Sequence, residues 1–301
     1  MSNADKLALP PSLRSEILDR ILENLLGPIQ DANLSDDELW RILDSSKAIE
    51  KSTSSLIQSC RSPHHSGEEI DESQLRKSEI ENLTRYAYPP SYSLVSLRSQ
   101  IRRLRSLFPQ LNNNHIDVGE LEIPSLAEGW GAIPRWNLIA SDYQEATFIV
   151  LHQLRKSRRG KVQNHLIDCL EDNNLSRSER TIMAEDYLYE QQSNCDIIIF
   201  PFQWGLNHRD RSPRRAIQCF SGSEFGLGLF ATTCLLLTNS KRLAAKGDYL
   251  NWACAGDVLH VDKTMRFPVC YSDAGVVEIY HTSPSRESNH FSVPTGFIMD
   301  F

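Results

Sequence analysis

"CDIIIFPFQWGLNHRDRSPRRAIQCF", residues Cys195 to Phe220, decides how this chain is read. An apolar run, Ile197-Ile198-Ile199-Phe200, bounded by turn residues, predicts a buried strand from Asp196 to about Phe202. Ser212 then supplies a helix N-cap, and Pro213 suits the first helical position, where its missing N–H costs nothing. A strand is thus expected to hand over to a helix over about 213–220, with His208, Arg209, Asp210, Arg211, Arg214 and Arg215 crowded at the handover. Cations in a first turn oppose the helix dipole, so something negative should face them. Free amides and guanidinium forks would make a phosphate pocket, and ligands in α/β sheets sit off the carboxyl ends of strands. The competing expectation is internal pairing, for instance with Glu185, Asp186 or Glu190 of the preceding helical segment.

Upstream, helices are expected over about Ser141–Arg155, with Ser141 as N-cap, and Ser178–Gln191. Downstream, a helix is expected over 224–238, and from Asp248 the pattern turns to strands. "YLNWACAG", "FPVCY" and "VVEIY" are the candidates, the last two joined by a hairpin at Ser272-Asp273-Ala274-Gly275. Residues 111–134, with Gly119, Pro124, Gly129, Gly131 and Pro134, look like a connection. The first 110 residues look helical. Residues 12–26 repeat Leu and Ile at helical spacing, Ser35 to Glu38 forms a capping box, and segments 74–86 and 93–107 follow a polar loop at 59–73. The expected fold class is α+β or α/β: a helical N-terminal region (1–110), a connection (111–134) and a mixed domain (135–301) ending in strands.

The net charge of −7 over 301 residues argues against a surface devoted wholly to nucleic acid. The charge is unevenly spread. Residues 1–90 hold 10 Lys/Arg against 16 Asp/Glu, a net of −6, while residues 91–160 hold 9 against 6, a net of +3. The acidic N-terminal region is therefore a candidate dock for a protein partner. Seven cysteines without a C-x-x-C pair, several within apolar runs, fit reduced buried thiols in the cytoplasm and disfavour a metal site. The start lacks the pattern of a secretory signal, and the longest apolar stretch, Phe225 to Leu237, is too short to span a membrane.

Other motifs carry weaker chemistry. Arg98, Arg102, Arg103 and Arg105 lie on a helix whose apolar face is Leu94, Leu97, Ile101, Leu104 and Leu107 or Phe108; a solvated face or nucleic-acid contact both fit. The run Arg155 to Lys161 ends a helix, where the dipole favours cations. Gly226-Leu227-Gly228-Leu229-Phe230-Ala231 matches a dinucleotide fingerprint in letters but does not follow directly from a strand; small residues for close packing explain it better. Cys254 with Asp257 could be a nucleophile group if His260, His281 or His290 approached. Glu224, Asp248 and Asp257 are candidate acid/base carboxyls, and no D…E-x-K arrangement suggests a nuclease. His64-His65 falls in a polar loop.

Three functions follow. The first is binding of a phosphate-bearing ligand, above all nucleic acid, by Arg209, Arg211, Ser212, Arg214 and Arg215. The second is an enzyme acting on a phosphorylated or nucleotide substrate, with His208 or Asp210 as acid/base. The third is a structural or adaptor protein whose junction arginines pair internally. No cofactor is named by any motif.

Overall fold

The computed structural model describes residues 92–299 apart from 113, 120, 125, 168–173, 210, 244–250, 274 and 287–290. The expected helices at 12–26, 35–49 and 74–86, the loop with His64-His65, and Asp210, Asp248 and His290 lie outside the described residues, as does the acidic N-terminal region.

Helix α1 (Leu97–Leu107) buries Gln100, Ile101 and Leu104. Its apolar stripe faces strand β1 (Gly129–Pro134), whose residues are nearly all buried. The sequence assigns 129–134 to a connection because its glycines and prolines mimic a loop. The strand forms nonetheless, paired antiparallel with residues 197–202, and Gly131 makes room for Phe202 and Leu235, on which a Cβ would press. Gln100 pins helix to strand: its Nε2 donates to Trp130 O (2.9 Å) and Val95 O (2.8 Å), and Ala132 N donates to its Oε1 (3.2 Å). Residues 97–108 therefore share one core with the rest of the described chain.

Helix α2 (Tyr143–Ser157) is capped by Asp142, whose side chain accepts from Glu145 N at 2.7 Å; Ser141, expected as the cap, instead donates its hydroxyl to Glu145 Oε2. Short strands β2 (Val162–Asn164) and β3 (Leu175–Arg177) precede helix α3 (Glu179–Gln191), which forms where a helix over Ser178–Gln191 is expected and is capped by Ser178. At the far end of α3, Arg135 closes the open carbonyls, donating to Tyr189 O, Gln192 O and Cys195 O at 2.6–2.9 Å.

Strand β4 (Ile197–Gln203) is buried at all seven positions, which is why its sequence does not alternate. Helix α4 (Pro213–Gln218) follows. Glu224–Gly226, expected as the start of a helix, forms strand β5, and helix α5 (Leu229–Thr238) begins three residues later with every residue buried. The remaining strands are β6 (Asn251–Ala253), β7 (Asp257–Val261), β8 (Thr264–Asp273), β9 (Val276–Thr282), β10 (Phe291–Ser292) and β11 (Thr295–Phe297).

Two sheets result. One has the order β1-β4-β11-β5 and is antiparallel throughout. The other runs β10-β6-β8-β7-β3, with β9 joining β8 to β2. The class is α+β. The rule placing ligands beyond the carboxyl ends of parallel strands therefore does not apply to β4. β8 and β9 form a hairpin with Asp273 opposite Val276 and Gly275 in the turn at φ +81°, as the sequence suggests. The β7–β8 hairpin turns on Asp262 and Lys263, both at positive φ without a glycine, which hides it from a reading that looks for Asn-Gly or Asp-Gly.

Candidate functional site at the strand-to-helix junction

Beyond β4, Gln203 ties the strand end to the neighbouring chain, its Nε2 donating to Val293 O (3.0 Å) and Thr295 Oγ1 (2.8 Å). Gly205 takes φ +117°, and a Cβ there would collide with Ser292, so only glycine lets the chain turn. A single 3-10 turn, Leu206–His208, then brings His208 back under the sheet, where it is 3% exposed.

The acid that meets His208 at the junction is Glu224. Its carboxylate is buried, with Oε1 2.7 Å from His208 Nε2 and accepting from the Thr295 hydroxyl at 2.5 Å, and with Oε2 accepting from Ser221 N at 3.1 Å. Arg211 Nη1 lies 3.0 Å from His208 Nδ1. A guanidinium can only donate, so Nδ1 is the acceptor and Nε2 carries the proton donated to Glu224. Arg180, reaching across from α3, donates its Nε to Glu224 O at 2.6 Å and its Nη2 to Ser221 O. It lies over the Phe220 ring, whose centroid is 5.0 Å from that of His208. Burial pushes the Glu224 carboxyl up, but the bonds from His208, Thr295 and Ser221 outweigh it and hold it below its ordinary value.

The predicted phosphate nest is differently used. Ser212 is the N-cap, as expected, but its hydroxyl takes Arg215 N at 3.3 Å, Arg214 N donates to Pro284 O at 3.1 Å, and Pro213 has no N–H. The amides of this first turn are thereby satisfied within the chain. Among the arginines, Arg209 is exposed, while Arg211, Arg214 and Arg215 are partly buried, and Arg215 Nη1 donates to Gln218 Oε1 at 3.2 Å. Glu185, one expected partner for these arginines, pairs instead with Arg177.

That pair belongs to a second polar cluster. Asp257, wholly buried, accepts from Leu229 N at 2.6 Å and from the Tyr143 hydroxyl at 2.8 Å, so β7 caps the start of α5 and links it to α2. Arg177 lies 5.1 Å from the Tyr143 ring and 5.2 Å from the Trp136 ring. Burial drives both carboxyls up, Asp257 to about 7 and Glu185 to about 6, with Arg177 pulling each back. A cavity with room for about one water lies against Thr181, Glu185, Tyr189, Gly226 and Gly228. The glycines of the 226–228 segment serve close approach. A Cβ at Gly226 would sit 2.8 Å from the Ala255–Gly256 backbone, and one at Gly228 would strike Asp257 and Tyr143.

Cys254 is fully buried, and its thiol is pushed well above its ordinary value by burial and by Cys270, the reverse of what a nucleophile requires. His260 is exposed on β7, and no hydrogen bond joins it or His281 to Cys254 among the described residues. Sequence reading missed Arg177, Arg180, Tyr143 and Thr295. None carries a local signal, because each meets its partner across separate elements.

The chain matches no family of known proteins, no curated protein and no solved structure. Among the described residues, no helix is long and apolar enough to cross a membrane.

Proposed function

We propose that the chain is a binding protein of the adaptor type, in which the Arg-rich junction is an internal latch. The observation that carries this reading is the buried contact of His208 with Glu224 at 2.7 Å, backed by Arg211 on the other ring nitrogen. Both nitrogens of His208 are engaged, so the ring as placed has no lone pair to offer a substrate, which weakens the enzymatic reading. The latch fastens the loop after β4 to β5 and, through Thr295, to β11.

Removing one partner of a buried hydrogen bond to a carboxylate costs about 1–3 kcal/mol or more. Glu224→Gln and His208→Ala are therefore expected to lower the urea midpoint clearly, and inorganic phosphate is expected to leave the thermal midpoint unchanged. The second reading, a phosphate-bearing ligand held by the outer arginines, draws on the exposure of Arg209. It would replace the first if phosphate raised the midpoint and Arg209→Gln with Arg214→Gln abolished that rise.

A further inference from the structure

Helix α1 presents a surface the latch does not use. Gln100, Ile101, Leu104 and Phe108 turn inward, and the three hydrogen bonds of Gln100 fix the rotation of the helix about its axis. The outward positions are Arg98, Ser99, Arg102, Arg103, Arg105 and Ser106, all exposed. Residues 98, 102 and 105 fall on one stripe at helical spacing, with Arg103 beside it, and Arg98 to Arg105 spans roughly 10 Å along the axis. The helix contains four arginines and no acid. Arg98 stands in the first turn, where the dipole disfavours a cation. Among the described residues, Arg98, Arg102 and Arg103 enter no ion pair.

We infer that this face is a docking surface for the phosphate backbone of nucleic acid. The three guanidiniums of Arg98, Arg102 and Arg103, with no lysine on the helix, suit bidentate contact with phosphate oxygens. A protein partner would call for a desolvated apolar or aromatic anchor at the centre of the patch, and the outward face of α1 supplies only arginine and serine. The net charge of −7 confines contact to this locally basic region rather than the whole surface. The inference rests on the reading of the chain as a binding protein and gives that reading its partner.

The test is fluorescence anisotropy of a labelled DNA duplex and an RNA of the same sequence, titrated with the full chain at several salt concentrations. With three phosphates neutralised, log affinity for the duplex should fall with log salt at a slope of about −2.7, or roughly 40-fold weaker binding on a fourfold rise in salt. The triple variant Arg98→Gln, Arg102→Gln, Arg103→Gln should abolish binding with an unchanged thermal midpoint. Arg102→Gln alone should reduce the slope by about one, a check that holds if the triple variant misfolds. No binding at low salt, or binding to polyglutamate but not to nucleic acid, overturns the inference and leaves the latch to its own stability test. Binding that survives the triple variant but is lost on replacing Arg209, Arg211, Arg214 and Arg215 overturns both.

Discussion

The buried carboxyl of Asp257 makes the stability of this protein depend on pH in an unusual direction. Most carboxylates in folded chains titrate at or below their ordinary value, so stability is lost as acid is added. Asp257 is wholly buried and titrates at about 7, against an ordinary 3.8; burial is the main cause, and the bonds from Leu229 N and Tyr143 and the charge of Arg177 only partly offset it. The folded chain therefore holds a proton that the unfolded chain has already released. This contribution is fully present below pH 3.8 and disappears as pH rises to about 7. Over the accessible part of that window, from pH 5 to 7, each pH unit is worth ~1.4 kcal/mol, so ~3 kcal/mol is at stake. Glu185, raised to about 6, acts in the same direction.

Asp257→Asn isolates the effect. An asparagine can accept from Leu229 N and donate to the Tyr143 oxygen, keeping the geometry while removing the titration. Urea unfolding of both proteins at pH 5 and pH 8 should show the variant gaining about 3 kcal/mol on the wild type between the two conditions. Parallel stability curves would refute the reasoning, because they would mean that the buried carboxyl is charged throughout or that water reaches it in the folded chain.

Two further outcomes test the packing. Gly228→Ala places a methyl against Asp257 and Tyr143 at the start of a helix with no exposed residue. A loss of at least about 2 kcal/mol is expected, read from the urea midpoint. Gln100→Leu keeps the volume but strands Val95 O, Trp130 O and Ala132 N. Each buried orphan costs about 1–3 kcal/mol, so thermal melting should fall steeply, and hydrogen exchange at Ala132 should speed up if α1 detaches from β1.

What the sequence made legible was local. The strand at 197–203, the helix after Ser178, the cap at Ser212 and the β8–β9 hairpin each announce themselves within a few residues. Apart from the one-residue shift of the α2 cap from Ser141 to Asp142 and the hidden turn at Asp262-Lys263, the misreadings involve distant partners. Glu224–Gly226 resembles a helix start because Ser221-Gly222-Ser223-Glu224 offers a cap and an acid, but it pairs with Thr295–Phe297 some seventy residues on. Gly129–Pro134 resembles a linker, yet it lies along β4 with six matched residues. Tertiary pairing overrides local preference most easily in short strands, which carry too few residues to show a period.

The junction shows the same division. Its cap was legible, and so was the need for a negative group near two arginines at a helix start. The buried acid of the junction was not, because Glu224, the partner of His208, lies nine residues beyond Arg215 in what reads as a different helix. Its approach depends on the reversal at Gly205 and on β5 lying next to β11. Once Glu224 is in place, it sets a hierarchy among the cations. His208 takes the carboxylate, Arg211 takes the far side of the ring, and Arg180 from α3 holds the carbonyl of the same residue. A buried acid that gathers partners from separate segments accounts for His208 and Arg211 within the chain. On α1, Arg98, Arg102 and Arg103 are exposed and enter no ion pair among the described residues, and the proposed contact with an outside anion rests on these three.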